Sequence, residues 1–200
     1  MPTVLQLSLS LLEEAQLPSR FTSLDIESYK GRKGALDTVV RYTKSLEANR
    51  CNGLGLLFRG PRNSYKSFLS CYILCFAASM RPDYRIRYFS FSDIVDGVLK
   101  NELRFSDLSK PDFLVVDNLL RETNSFWTTA MQRLLVARRD AGKPTIFCTR
   151  LDDNELIATY GQDNVVAMHE MTTEVVTHAD SRHSEERAVL IRRHLNEEIS

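Results

Sequence analysis

The sequence predicts an α/β fold in which a parallel sheet of about five strands is sandwiched by helices. Short, continuously apolar runs at residues 54–58 and 113–116 are typical of strands that are buried on both faces. Segments with helical periodicity separate these runs, and such an alternation is typical of parallel sheets. The chain has 200 residues, of which 43% are hydrophobic. This size and composition suit one domain with a real core.

The first half of the chain combines amphipathic helices with one buried strand. Leu17, Pro18 and Ser19 form a break that ends the first helix. In chain order, the pattern predicts a helix over 4–15, an irregular segment over 21–30, a helix over 34–48, a strand over 54–58, a turn-rich loop over 60–67 and a helix over 68–79.

The second half continues the alternation. Ser92 is predicted to cap a helix, and Gly142 with Pro144 ends the long helix before them. Arg138 and Arg139 near the end of that helix complement its dipole and need no ligand. The predicted elements are a strand over 84–91, a helix to about residue 100, a strand over 112–117, a helix over 125–140, a strand over 145–149, a helix over 152–160, a strand over 172–177 and a charged terminal helix over 184–198.

The charge balance limits the classes of partner. Lysine and arginine together number 26, aspartate and glutamate together number 26, and the formal net charge is zero. Neutralising phosphates needs clustered basic residues, so this balance argues against a protein whose whole surface binds nucleic acid. Arg85 and Arg87 alternate with aromatic residues on a predicted strand. They fit a nucleic-acid surface or, as we favour, a strand with one solvated face.

Cysteine usage and hydropathy indicate a cytoplasmic protein. No apolar run approaches the roughly 20 residues needed to span a bilayer, and no charged leader with an apolar stretch marks a signal peptide. Cys71 and Cys75 lie four positions apart, which is compatible with a metal pair, but without a second pair we favour two buried thiols. We therefore expect a reducing compartment and no membrane contact.

One segment between a predicted strand and a predicted helix carries the decisive motif. A phosphate-binding P-loop reads Gly, four residues, Gly, Lys and then Ser or Thr, and Gly60, Lys66 and Ser67 match it. In such a turn, N–H groups and a helix N-terminus converge where phosphates are held. Lys66 would reach the β- and γ-phosphates, and Ser67 would complete a magnesium shell. The predicted nucleotide-binding residues are Gly60, Pro61, Arg62, Asn63, Ser64, Tyr65, Lys66 and Ser67.

Tyr65 departs from the pattern, which has glycine at this position. Glycine lets the backbone approach phosphate without a side chain between them. The tyrosine ring either points outward and leaves the amides in place or crowds the pocket, and both outcomes stay open.

Two further strand ends carry polar residues. Asp117 ends a buried strand, where P-loop proteins place an acid that contacts magnesium. The next residue is Asn118, which cannot act as an anionic base, so hydrolysis should be slow. Thr149 ends the strand over 145–149 and can hydrogen-bond a phosphate or water, and Arg150 follows it.

Taken in order, these motifs resemble the AAA+ domain of bacterial and phage replicative-helicase loaders and their relatives, the IstB-type helper ATPases of transposition. The resemblance covers nearly the whole chain beyond residue 20. Its most specific part is the Gly-Lys-Pro-Thr-Ile stretch at 142–146, after an arginine-bearing helix. The residues that carry it are Arg20, Phe21, residues 52–54, the P-loop, residues 112–118, Trp127, Arg138, residues 142–146, Leu156, Tyr160, Gly161 and residues 180–182.

The resemblance implies a P-loop NTPase with a RecA-like core over 21–200, preceded by a short N-terminal helical stub over 1–20. It implies a short C-terminal helix without a full lid domain. It also implies ATP and Mg²⁺ as cofactors, with Ser67 and Asp117 on the metal, Asp117, Asn118 and Thr149 at the catalytic positions, and Arg182 sensing the nucleotide. The implied partner is a replicative helicase or another AAA+ subunit, together with weakly held single-stranded DNA.

Three departures from the family predict weak or absent hydrolysis. Tyr65 and Asn118 are two of them. The third is that no arginine lies between Arg150 and Arg182, where the family donates one to the neighbouring subunit's ATP. The prediction is an ATP-binding, helicase-loader-like protein. The alternatives are a structural pseudo-ATPase adaptor for a helicase or an active ATPase, and a transposition regulator that presents target DNA to a transposase.

Overall fold

The computed structural model describes residues 4–6, 9–21, 23–121 and 124–178. Short 3-10 turns lie at Ser19–Phe21, Ile26–Ser28 and Phe105–Ser109. The strands are β1 (Val4–Gln6), β2 (Ser23–Asp25), β3 (Gly55–Arg59), β4 (Ile86–Ser90), β5 (Phe113–Leu119), β6 (Thr145–Thr149) and β7 (Thr172–Val176). The helices are α1 (Leu9–Glu14), α2 (Lys33–Lys44), α3 (Leu46–Cys51), α4 (Lys66–Met80), α5 (Phe91–Leu99), α6 (Ser125–Asp140), α7 (Asp153–Tyr160) and α8 (Gln162–Glu170).

Five strands form one parallel sheet in the order β4, β5, β6, β3 and β7. β3 lies between β6 and β7, and its Leu56 pairs with Ile146 on one side and with Thr173 on the other. Because all the strands are parallel, their carboxyl ends share one edge of the sheet, where ligands bind in α/β folds. The predicted parallel sheet, with helices on both faces, is confirmed.

Each face of the sheet carries its own hydrophobic core. Leu56 and Phe58 of β3 belong to the core covered by α1, α2 and α4, whereas Leu57 between them belongs to the core covered by α5, α6, α7 and α8. Side chains alternate between the faces of a strand, so a strand covered on both faces needs apolar residues throughout. Among the described residues, no helix combines the length and the apolar character that crossing a membrane requires.

The N-terminal segment differs from the helix predicted over 4–15. Its first residues form β1, which pairs antiparallel with β2, and α1 begins only at Leu9. β2 lies inside the segment predicted to be irregular. The register aligns Val4 with Asp25, a contact between distant residues that local periodicity does not reveal. Division of the chain at residue 20 stays a prediction.

Two helix boundaries also differ from the prediction. The helix predicted over 34–48 is two helices, because the chain bends at Ser45, whose N–H donates to two carbonyls of the preceding turn. Helix α5 is capped by Ser90 rather than Ser92. The Ser90 side chain accepts from the N–H of Asp93 while the Asp93 side chain accepts from the N–H of Ser90, so a capping box fixes the start of the helix.

Helix α8 was not predicted. Val165 and Met168 bury one side of it in the core covered by α5 to α8. The side chain of Asn164, which is also buried, donates to two main-chain carbonyls. A polar residue on the buried side obscures the apolar periodicity of the helix. The terminal helix predicted over 184–198 and the predicted sensor Arg182 lie outside the described residues.

Arg138 lies in the last turn of α6, as the sequence predicts, and is also a buried polar anchor. Its side chain is 0% exposed. Burial lowers the pKa of Arg138 to about 9, so the guanidinium keeps its charge at neutral pH. Its donors reach the carbonyls of Leu108 (3.0 Å), Pro111 (2.7 Å) and Pro144 (2.6 Å) and the hydroxyl of Thr145 (2.9 Å). The planar guanidinium thereby joins α6 to β6 and to the loop before β5.

We predict that Arg138→Met lowers the free energy of unfolding by about 3 kcal/mol, because it leaves several buried acceptors without a donor. Arg138→Lys should recover only part of this loss, since an ammonium cannot span the same acceptors. Urea denaturation measures both changes. Arg139→Met, at the exposed neighbour on the same helix, is the control and should change stability by about 0.5 kcal/mol or less. Equal effects at positions 138 and 139 would contradict the anchoring role.

Candidate nucleotide site

Three loops meet at the carboxyl edge of the sheet, after β3, β5 and β6. The N–H of Gly60 donates to the carbonyl of Thr149 at 3.2 Å, which fixes the loop after β3 beside the end of β6. The hydroxyl of Ser67, in the first turn of α4, donates to Asp117 on β5 at 2.5 Å. The structure therefore brings the predicted P-loop, Asp117 and Thr149 into one site.

The Lys66 ammonium lies inside the loop. It donates to the carbonyls of Gly60 at 2.7 Å and Pro61 at 2.6 Å, and to the Ser64 hydroxyl at 3.1 Å. Burial lowers the pKa of Lys66, and the charge of Arg150 acts in the same direction. The loop therefore concentrates one positive charge at the N-terminus of α4.

The main-chain N–H groups around this lysine have no protein acceptor. Within the described part of the chain, no hydrogen bond is formed by the N–H groups of Asn63, Ser64, Lys66 or Ser67. The first N–H groups of a helix lack intrahelical partners, and they carry the positive end of the helix dipole. Together with the Lys66 ammonium, they form an anion-binding arrangement.

Thr177, just after β7, supports the loop from below. A Cβ atom at Gly60 would lie 2.3 Å from the Thr177 carbonyl oxygen, so only glycine fits there. The Thr177 hydroxyl lies 2.7 Å from the Ser64 hydroxyl and donates to the Arg59 carbonyl at 3.1 Å. Ser64 and Thr177 are both buried. The curvature of the loop is thus fixed by contacts with the end of β7.

Tyr65 adopts the left-handed conformation with φ 63° immediately before α4. This conformation costs a non-glycine residue roughly 1–2 kcal/mol. The ring of Tyr65 packs edge-to-face against Tyr29 and Phe68, with centroid distances of 5.0 and 6.1 Å. Such aromatic pairs each contribute about 0.5–1.5 kcal/mol, which offsets the conformational cost. The ring therefore packs against the core covered by α1, α2 and α4, which favours the outward orientation of the two outcomes left open by the sequence.

Asp117 receives hydrogen bonds from Ser67, Tyr88, the main chain of Asn118 and the thiol of Cys148. Its Oδ2 accepts from the hydroxyls of Ser67 and Tyr88, both at 2.5 Å, and its Oδ1 accepts from the N–H of Asn118 at 2.6 Å. Burial and the neighbouring charge of Asp117 raise the pKa of Tyr88, so the phenol remains a donor. The carboxylate is therefore held in one orientation, facing the start of α4.

Ser67 and Asp117, assigned to magnesium by the resemblance, fit a hard cation. Both offer oxygen ligands of the kind that Mg²⁺ binds, and these oxygens are 2.5 Å apart. Among the described residues, no group of three or more histidine, cysteine, aspartate or glutamate side chains could hold a metal ion. A cation at this position would need phosphate and water oxygens to complete its shell.

Asn118 lies at an irregularity in the pairing of β5 with β6, between Val116 and Leu119. Its backbone is left-handed, with φ 60°, and its side chain is exposed. Asparagine and aspartate tolerate this conformation better than other non-glycine residues. The identity of residue 118 is therefore constrained by backbone geometry as well as by chemistry.

The hydroxyl of Thr149 is used by the main chain. It donates to the carbonyl of Leu119 at 3.1 Å and accepts from the N–H of Leu151 at 3.0 Å, and the residue is buried. These contacts join the ends of β5 and β6, and a role of Thr149 in phosphate sensing stays a prediction. Arg150, the next residue, is exposed.

Arg85 and Arg87 line a separate groove of about 1110 Å³ along β4. Glu13, Glu14 and Glu102 line the same groove. Since both signs of charge are present, the groove does not form a continuous basic strip for phosphates.

Sequence reasoning missed Tyr88 and Thr177 as parts of the site. Tyr88 belongs to an alternating strand pattern, and Thr177 ends a β-branched one. Their contacts with Asp117 and Ser64 join residues that are distant in the chain. The pairing of the strands creates both contacts, so neither has a local sequence signal.

Comparison with known proteins supports the fold. No family model and no curated protein sequence matches the chain. The solved structure of the DnaC helicase loader has a TM-score of 0.65 at 21% identity, covering 75% of this chain and 94% of that one. The structure of DnaI has a TM-score of 0.67 at 14% identity, and the match covers 80% of this chain and 94% of that one. The structure of AMPPCP-bound DnaA from Aquifex aeolicus has a TM-score of 0.60 at 18% identity, and the match covers 84% of this chain and 52% of that one. The chain thus shares the α/β fold of the DnaC helicase loader, DnaI and DnaA, and the predicted resemblance is confirmed at the level of the fold.

The left-handed backbone at residue 118 predicts a graded response to substitution. Asn118→Gly and Asn118→Asp should keep the wild-type stability, because both residues accept this conformation. Asn118→Ala and Asn118→Glu should each lose about 1 kcal/mol. Urea denaturation measures the series, and an alanine variant as stable as the glycine variant would contradict the assigned conformation. If the series holds, Asn118→Asp is the variant that adds an acid without straining the chain.

Proposed function

We propose that this chain is an ATP-binding, helicase-loader-like protein that assists DNA replication and hydrolyses ATP weakly or not at all. The observation that carries the proposal is the loop after β3. There, the Lys66 ammonium lies inside the loop, and the N–H groups of Asn63, Ser64 and Ser67, beside the N-terminus of a helix, have no acceptor among the described residues. This donor set suits a polyphosphate.

Each group has a role toward the nucleotide. Lys66 exchanges the loop carbonyls for the β- and γ-phosphates, and the free N–H groups bind phosphate oxygens. Ser67 and Asp117 hold Mg²⁺, which supplies positive charge beside the phosphates. Tyr65 leaves the loop interior open, because its ring packs on Tyr29 and Phe68. The AMPPCP bound to the DnaA neighbour supports an adenosine triphosphate as the ligand.

Weak hydrolysis follows from groups that the site lacks. Asn118 occupies the position of the second acid and cannot accept a proton as an anionic base. Residues 151–181 contain no arginine that could be donated to a neighbouring subunit's nucleotide. Such an arginine contributes about 10³–10⁵ to the rate in related phosphoryl transfers. Binding and hydrolysis therefore depend on different residues in this proposal, and the missing groups are those of hydrolysis.

The partner proposed for this chain is a replicative helicase or another AAA+ subunit. The DnaC and DnaI neighbours, each covered over 94% of its length, support a loader role. Single-stranded DNA is expected to bind weakly, because the net charge is zero and the groove beside Arg85 and Arg87 has mixed charge. A replication role agrees with a cytoplasmic location.

A second candidate function is a pseudo-ATPase adaptor that binds a helicase or an active ATPase without using nucleotide. The specific observation in its favour is that Lys66 and Asp117 already have protein partners. Lys66 is bound by the loop carbonyls, and Asp117 by Ser67, Tyr88 and the N–H of Asn118. Nucleotide affinity separates the two functions, since the adaptor binds none.

We predict that Lys66→Ala weakens ATP binding by about 10–100-fold, which corresponds to the loss of one charge-assisted hydrogen bond. Titration calorimetry with ATP and magnesium measures the change. Lys100→Ala removes the same charge from an exposed position after α5 and should leave the affinity unchanged. Equal ATP affinity in the wild type and in Lys66→Ala would contradict the assigned loop. A wild type that binds no ATP would favour the adaptor.

A further inference from the structure

Tyr88 places a buried hydroxyl inside the nucleotide site, where the proposed function gives it no task. The residue is 8% exposed and Asp117 is 7% exposed. The Tyr88 hydroxyl donates to Oδ2 of Asp117 at 2.5 Å. We propose that Tyr88 is the positioning residue for Asp117 and sets the affinity of the nucleotide-bound site for its divalent cation. This inference rests on the proposed function, because it adds a residue to the same site.

The hydrogen bonds of Asp117 indicate how Tyr88 acts. Oδ2 accepts from both Ser67 and Tyr88, which fills the two lone-pair positions of that oxygen. Oδ1 accepts from the N–H of Asn118, and the Cys148 thiol is a further hydrogen-bond partner of the carboxylate. Ser67 would itself be a cation ligand in the proposed function, and its hydroxyl would then no longer donate to Oδ2. Tyr88 keeps the other position and holds the carboxylate in place.

Tyr88 is itself held firmly enough to fix its partner. Its N–H donates to the carbonyl of Ala15 at 2.8 Å, and the residue pairs with Val115 of β5. Its ring belongs to the core covered by α1, α2 and α4. The backbone contacts of Tyr88 and the packing of its ring therefore hold the phenol against Asp117. Donors that orient a metal ligand in this way are worth about 10–100-fold in metal affinity.

Positioning of Asp117 by Tyr88 and competition of Tyr88 with the cation predict opposite changes in cation affinity when the Tyr88 hydroxyl is removed. If the Tyr88 hydroxyl mainly competed with the cation for Oδ2, its removal would strengthen cation binding. Positioning predicts that its removal weakens cation binding. If Ser67 leaves Oδ2 to become a ligand, one position on that oxygen is open to the cation while Tyr88 still donates to the other. We therefore expect removal of the Tyr88 hydroxyl to weaken cation binding.

The test compares Tyr88→Phe with Tyr84→Phe. Tyr84 is a matched control, since its hydroxyl donates to Glu47, outside the site. The affinity of fluorescent ATP is measured over a range of magnesium concentrations and in EDTA, and Mn²⁺ binding to the nucleotide complex is followed by electron paramagnetic resonance. Tyr88→Phe should weaken cation binding by about tenfold or more and leave the affinity in EDTA unchanged. Tyr84→Phe should change neither.

A measurement on the wild type covers the case in which Tyr88→Phe does not fold. With tyrosines labelled with ¹³C at Cζ, adding magnesium to the ATP complex should shift the Tyr88 resonance and leave that of Tyr84 in place. An unmoved Tyr88 resonance overturns the inference. In Tyr88→Phe, an unchanged or tighter cation affinity also overturns the inference, and so does an equal loss of ATP affinity in EDTA. The proposed function is not affected by these outcomes as long as the wild type binds ATP. If wild-type ATP binding does not depend on a cation, the inference and the proposed magnesium site both fail.

Discussion

The close contact between Gly60 and the end of β7 is the constraint on which the site depends. No side chain fits between Gly60 and the Thr177 carbonyl, and the N–H of Gly60 is bound to Thr149 of β6. The chain therefore leaves β3 between its two neighbouring strands and turns at once. The hydrogen bonds of Ser64 and Lys66 complete the turn. Parallel pairing on both sides of β3 thus determines where the loop proposed to bind phosphate turns.

Two of the departures from the family pattern change the side-chain chemistry of the site and keep its backbone conformation. Tyr65 and Asn118 both adopt left-handed conformations, as glycine would allow. Tyr65 is stabilised by its aromatic neighbours, and asparagine tolerates this conformation at 118. The backbone geometry proposed to bind an anion is therefore retained, whereas the acid that would activate water is replaced by Asn118. This separation is the physical basis for proposing binding without efficient hydrolysis.

Local features of the sequence predicted much of the fold and part of the site. Helix α6 and strand β6 have the predicted bounds, because apolar periodicity and the Gly142–Pro144 break are local signals. The P-loop was found because its spacing is local as well. The pairing of β1 with β2 and the contact of Tyr88 with Asp117 were missed, since each depends on residues that only the folded chain brings together. The anchoring role of Arg138 was missed for the same reason, as its acceptors lie on other segments of the chain.

The proposed function requires that the loop after β3 binds the phosphates of ATP through its main chain. The most direct measurement is a ¹⁵N-edited NMR titration of the protein with ATP and magnesium, with inorganic phosphate as the comparison ligand. We expect the amide protons of Asn63, Ser64, Lys66 and Ser67 to move downfield together and to saturate with ATP, because they gain phosphate acceptors. Amide shifts that leave these four residues unchanged while others respond would contradict it.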